Sequence, residues 1–251
     1  QELIQQTDDS ILQEAKQRAI AYNLAIIPGT ADAYSEEALL SAAKNYDDQL
    51  DIAGNGIMGY VEIPKIQVNL PIYHGTDAEV LDRGVGHLLG SSLPVGGENT
   101  HTILSGHSGM ASQKMFTDLE QLSPGDIFYL NVLNETLAYQ VMEINTVLPY
   151  ETDLLGIVPG EDLCTLVTCT PYGINTHRLL VRGSRIPYEE AAAMEEKTAS
   201  VEPAASTWEA KYLQGLLMGC AAAGGVSAIV FLVVRIKKHP RHRKGGRYAK
   251  R

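Results

Sequence analysis

The sequence predicts a mainly β fold, a closed or nearly closed barrel, over residues 55–186. Two observations carry the prediction. Six or more short runs combine alternating polarity with β-branched residues, the pattern of half-buried strands. Turn signals such as PVGGEN, SPGD and LNET separate them, and only MFTDLEQL reads as a short helical piece. Many short strands with few helices suit a sheet that closes on itself and leaves no edge.

In chain order, residues 9–26 are expected to form a helix. Asp9 or Ser10 can cap it, Ile11, Ala15, Ala19 and Tyr22 recur on one face, and Pro28-Gly29 ends it. A second helix is expected from Ser35 to about Asp48, with Glu36 and Glu37 in its first turn, where negative charge favours the helix dipole. Residues 1–54 are thus N-terminal helices with an exposed connection between them. The strand-like runs follow: MGYVEIPKIQVNLPIY, whose two prolines suit an edge or barrel strand pair, then THTILSGH, DIFYLNV, TLAYQVMEINTVLP, DLCTLVTCT and HRLLVRGSRI. Residues 187–211, rich in Ala and Glu, read as a solvated helix or stalk.

The net charge of −10 over 251 residues hides an asymmetry. Residues 235–251 carry nine basic side chains and no acidic ones, which leaves 11 basic against 30 acidic, a net −19, in residues 1–234. Between the two regions lies YLQGLLMGCAAAGGVSAIVFLVV, residues 212–234, uncharged throughout. Its length fits one transmembrane helix, which needs about 20 apolar residues. The basic tail then marks the cytoplasmic side and places residues 1–211 outside the cell. Beside an apolar span, that tail suits anionic lipid rather than nucleic acid. Because the chain begins with Gln1 rather than Met, a signal or a first membrane segment ahead of it is expected to have been removed or left out.

Cys220 falls in the apolar segment. Cys164 and Cys169, five apart on one strand, point to opposite faces and cannot readily pair. In TLVTCTPYGINTHRLLVRG, a strand holding Thr165, Val167 and Cys169 on one face turns through Pro171, Gly173 and Asn175 into a second strand. The hairpin sets Cys169 beside Arg178. A free thiol is a poor nucleophile until its thiolate is favoured or a base assists. A fixed cation favours the thiolate, and can also stabilise the oxyanion formed when a carbonyl is attacked. Arginine keeps its proton, so an acid or base must come from elsewhere. His177 faces the other side of the strand from Arg178. On spacing, His107 in LSGHSG is preferred, because its flanking glycines let a loop bend sharply. His101 and His87 remain alternatives, with His101 better suited to a structural role.

These motifs resemble the sortase family of cysteine transpeptidases. TCTPYGINTHRLLVRGSR, MGYVEIPKIQVNLPIYHGT and SSLPVGGENTHTILSGHSG resemble class C, the pilin-polymerising sortases of Gram-positive bacteria, as does the C-terminal anchor. The likeness is dense over residues 55–186. It implies an eight-stranded β-barrel, with Cys169 as nucleophile, His107 as general acid/base and Arg178 as oxyanion or substrate-positioning group. Thr168 is a further candidate for orienting substrate. Class C enzymes carry a lid with an Asp-Pro-aromatic motif; this chain has Asp32-Ala33-Tyr34, so Asp32 and Tyr34 are the candidate lid residues without the fixed φ of proline.

The implied activity is cleavage of an LPxTG-like sorting signal on pilin or surface-protein partners and the joining of pilin subunits by isopeptide bonds. A housekeeping sortase that anchors surface proteins to the cell wall, or an inactive scaffold or adhesin on the same barrel, are the alternatives. No cofactor is implied, and the scattered acidic residues define no metal site.

Overall fold

The computed structural model describes residues 7–26, 35–109 and 113–198. The chain divides into two units, 1–205 and 206–251, and every described residue lies in the first. The expected transmembrane helix 212–234, the basic tail 235–251, and Asp32 and Tyr34 lie outside the described residues. Among the described residues no helix is long and apolar enough to cross a membrane.

Helix α1 (Asp9–Ala25) forms where the periodicity predicts it, but Asp8 caps it, accepting from Ser10 N at 2.8 Å. Its buried face runs through Leu12, Ala15, Ala19 and Asn23, while Ile11 is half exposed. The two alanines set the face, because they let the helix lie close against the barrel; Leu12 continues that stripe and Ile11 does not. Helix α2 (Glu36–Ala42) starts at the expected cap, Ser35, but stops before Asp48. Asn45 takes a left-handed φ of 57°, and Tyr46 turns into the protein to reach His87 at 2.8 Å, which ends the helical course.

Eight strands then close a barrel: β1 (Ile57–Ile63), β2 (Val68–His74), β3 (Val85–His87), β4 (Thr100–Ser105), β5 (Ile127–Val132), β6 (Glu135–Val147), β7 (Asp162–Thr170) and β8 (His177–Ile186). A one-turn helix α3 (Ala78–Leu81) precedes β3. The order around the barrel is β1-β2-β3-β4-β7-β8-β6-β5, closed by β1 against β5. Two neighbouring pairs, β2 with β3 and β4 with β7, run parallel. Parallel neighbours need a crossover, so the β5–β6 hairpin is inserted in sequence between the paired strands β4 and β7.

The interior is packed by inward residues such as Val61, Leu104, Phe128, Tyr139, Leu166 and Val181. Phe128 and Tyr139 stack at 5.5 Å, and Gly183 passes so near that a Cβ there would lie 2.6 Å from the Phe128 ring. Helix α4 (Tyr188–Thr198) lies in the first part of the expected stalk 187–211, whose remainder is outside the described residues, and its first turns dock on the barrel wall. Ala191 is fully buried among Ile127, Tyr129 and Ala138, and Tyr129 donates to Glu195 at 2.8 Å.

Candidate active site

Pleating of β7 sends Cys164 and Leu166 into the core and turns Thr165, Val167 and Cys169 outward. Cys164 is fully buried, and desolvation pushes its thiol well above the usual range, so it stays neutral and inert. Cys169 is half-buried, and both thiols are free.

Two strand pairings converge on Cys169. In the antiparallel ladder of β7 and β8, Cys169 sits directly opposite Arg178. The guanidinium donates to the carbonyls of His177 at 3.1 Å and Asn175 at 3.3 Å, which pins it at the turn. In the parallel ladder of β4 and β7, the last pair is Ser105 with Val167, and His107 and Cys169 each lie two residues beyond it. Three bonds continue the pairing into the loop: Gly106 N donates to Val167 O at 3.0 Å, Thr168 Oγ1 to Gly106 O at 2.8 Å, and Ser108 Oγ to Cys169 O at 2.8 Å. His107 is held between these ties, and its own carbonyl accepts from Phe116 N at 3.0 Å. Gly106 is required here, since a Cβ would meet the Phe116 ring at 2.7 Å.

Thr168 faces the barrel interior, 4 % exposed, with its hydroxyl committed to Gly106. That bond ties down the start of the loop that bears His107. The imidazole of His107 is about a third exposed, and its Nε2 lies 3.6 Å from Asp82 Oδ1. Nothing in the sequence pointed to Asp82, which ends α3, or to Ser108. Tyr172, in the turn after Cys169, packs over Gly109 and was missed as well.

His101, His87 and His177 each have other partners. His101 is fully buried, with one ring nitrogen 2.8 Å from Gly156 O and the other 2.7 Å from Thr165 Oγ1. His87 is fully buried between Tyr46 and Ser92. Burial lowers both to about 4, so both rings are uncharged at neutral pH. His177 contacts Thr176 at 2.9 Å. Among the described residues no cluster of three His, Cys, Asp or Glu stands where it can hold a metal ion.

A sortase-domain profile matches residues 61–186, half of the chain and almost the whole barrel. The chain belongs to the sortase family. Sortases are cysteine transpeptidases. Sortase C1 from Streptococcus agalactiae is 47% identical, with a TM-score of 0.68 over 74% of this sortase and 95% of that chain. Sortase C from Streptococcus pneumoniae, whose structure concerns catalysis and pilin substrate specificity, is 45% identical, with a TM-score of 0.66 over 74% and 94%. The resemblance to class C sortases is therefore one of fold and sequence together. Sortase A from Streptococcus agalactiae serotype III is 32% identical over 117 residues, and there the chain spans 47%, about half, of its relative's length.

Proposed function

We propose that this chain is a pilin-polymerising transpeptidase. Cys169 attacks the Thr-Gly bond of an LPxTG-like sorting signal, Arg178 stabilises the oxyanion, and His107 protonates the leaving amine. The resulting thioester is then resolved by a lysine amine of the next pilin subunit, giving an isopeptide bond. Forming a thioester splits one difficult exchange into two easier ones. The observation that carries this reading is the double register at Cys169: β8 sets Arg178 opposite it, and β4 ends in the loop that bears His107.

The 45% and 47% identity to the two sortases C, against 32% for the Streptococcus agalactiae Sortase A, supports pilin over cell-wall peptide as the acceptor. We further propose that Asp32 and Tyr34 cover the site as a lid, and that residues 212–234 anchor the enzyme in the cell membrane with its catalytic domain outside. The test is to incubate the chain with pilin subunits and look for a ladder of products that survives boiling in detergent. Wild type is expected to give the ladder and Cys169→Ala none; a ladder from Cys169→Ala would overturn the mechanism.

A further inference from the structure

Four successive segments deliver polar side chains to one mouth of the barrel. Asp82 precedes β3, His107 follows β4, Cys169 ends β7 and Arg178 opens β8. The registers run them in that order, because the start of β3 pairs with the end of β4, β4 runs parallel to β7, and Cys169 faces Arg178. The thiol therefore lies between a cationic side, at Arg178, and an anionic side, at Asp82. Arg178 suits the oxyanion, and Asp82 has no place in the chemistry described above.

Asp82 is also available. Its side chain is 65 % exposed, and its one ion-pairing neighbour among the described residues is His107, at 3.6 Å. The adjacent Arg83 is drawn away, with its guanidinium stacked 4.5 Å over the Tyr73 ring. The charged and titratable groups at this mouth include, among the described residues, Asp82 from the α3–β3 turn, His107 from the β4 loop, Cys169 from β7, Tyr172 from the β7–β8 turn, and His177 and Arg178 from β8.

We propose that Asp82 is the docking residue for the protonated amine of the second substrate, and so a determinant of acceptor specificity. The proposal rests on the pilin-polymerising reading. An alkylammonium paired with Asp82 stands beside His107 Nε2, the base that must take a proton from it, on the face of Cys169 opposite Arg178. The arriving amine carries three protons. One goes to solvent as the free amine forms. The nitrogen then attacks the thioester carbonyl, the C–N bond forms and the C–S bond breaks. A second proton passes through His107 to the departing thiolate, and the third stays on the new amide. Water needs no such anchor, so the carboxylate selects amine over water.

The experiment compares acceptors of different charge on one acyl donor. The full chain in detergent, and the same chain with Asp32 and Tyr34 both changed to Ala, is given an LPxTG peptide. The acceptor is either Nα-acetyl-lysine amide, which is cationic, or hydroxylamine, which is uncharged at neutral pH. Asp82→Asn is expected to lower kcat/KM for the lysine acceptor relative to hydroxylamine by roughly two- to fivefold, the size of an exposed ion pair. The loss should sit in the KM for the lysine acceptor, and it should vanish in high salt, which screens exposed charges. Asp82→Glu should restore part of the preference. An unchanged ratio overturns the proposal, and so does an equal fall for both acceptors, which would mean that Asp82 acts only through His107. If neither form with native Asp82 joins the lysine acceptor while hydroxylamine is used, the pilin-polymerising reading fails together with the proposal.

Discussion

Thr168 shows how much of the site depends on a buried hydroxyl. Its hydroxyl donates inside the barrel to the carbonyl of Gly106, one residue before His107. Thr168→Val keeps the shape and removes that donor, leaving a buried carbonyl unpaired at a cost of about 1–3 kcal/mol. The expected outcome is a fall in the rate of thioester formation from a peptide donor, with labelling of Cys169 by a small thiol reagent preserved and Thr168→Ser restoring activity. Equal peptide rates in wild type and Thr168→Val would show that the loop is held without this bond. At this scale Cys169 and Arg178 were legible in the sequence, because nine residues and one turn separate them and pleating does the rest. His107 was readable only as a preference, since the pairing that brings it to Cys169 spans 62 positions. Asp82 was not readable at all; an aspartate at the end of a one-turn helix has no periodicity or spacing to mark it.

The elements before the barrel are fastened to it more firmly than their composition suggests. Asn23 on α1 exchanges hydrogen bonds with Leu93, at 2.7 and 3.2 Å. Tyr22 donates to Ala42 O on α2 at 2.6 Å, and Tyr46 beyond α2 binds both His87 and Gly75 N. Both ends of the segment that carries Asp32 and Tyr34 are therefore fixed to the core. If these two residues cover Cys169, changing both to Ala is expected to speed labelling of Cys169 by a thiol reagent, and labelling at the wild-type rate would sink the idea. The helices themselves were legible from capping and periodicity. Their ends were not, because α2 stops where Tyr46 finds a partner that belongs to a different part of the chain. Helix α4 was read as solvated from its Ala and Glu content, and an alanine is what allowed it to dock.

For the whole molecule, the two buried histidines set a pH limit. His87 and His101 are lowered to about 4 by burial, whereas an unfolded chain titrates them near 6.5. Between those values the unfolded state binds more protons, so stability falls as pH drops from about 6.5 towards about 4. The slope is up to about 1.4 kcal/mol per pH unit for each histidine, and neither adds slope above pH 6.5. The thermal midpoint is expected to decline between pH 6.5 and 4.5, and replacing His101 with Gln should flatten that decline. A wild-type midpoint constant over this range would contradict the burial of both rings.

The closed strand order also means that no local fragment of this chain contains the site. The segment following β4 and the end of β7 become neighbours only after the β5–β6 hairpin has been looped out between them and the parallel pair has formed. Until then Cys169 has no His107 loop beside it. On the proposed mechanism, a newly made or misfolded chain is then chemically silent towards sorting signals, and reactivity switches on with closure of the sheet.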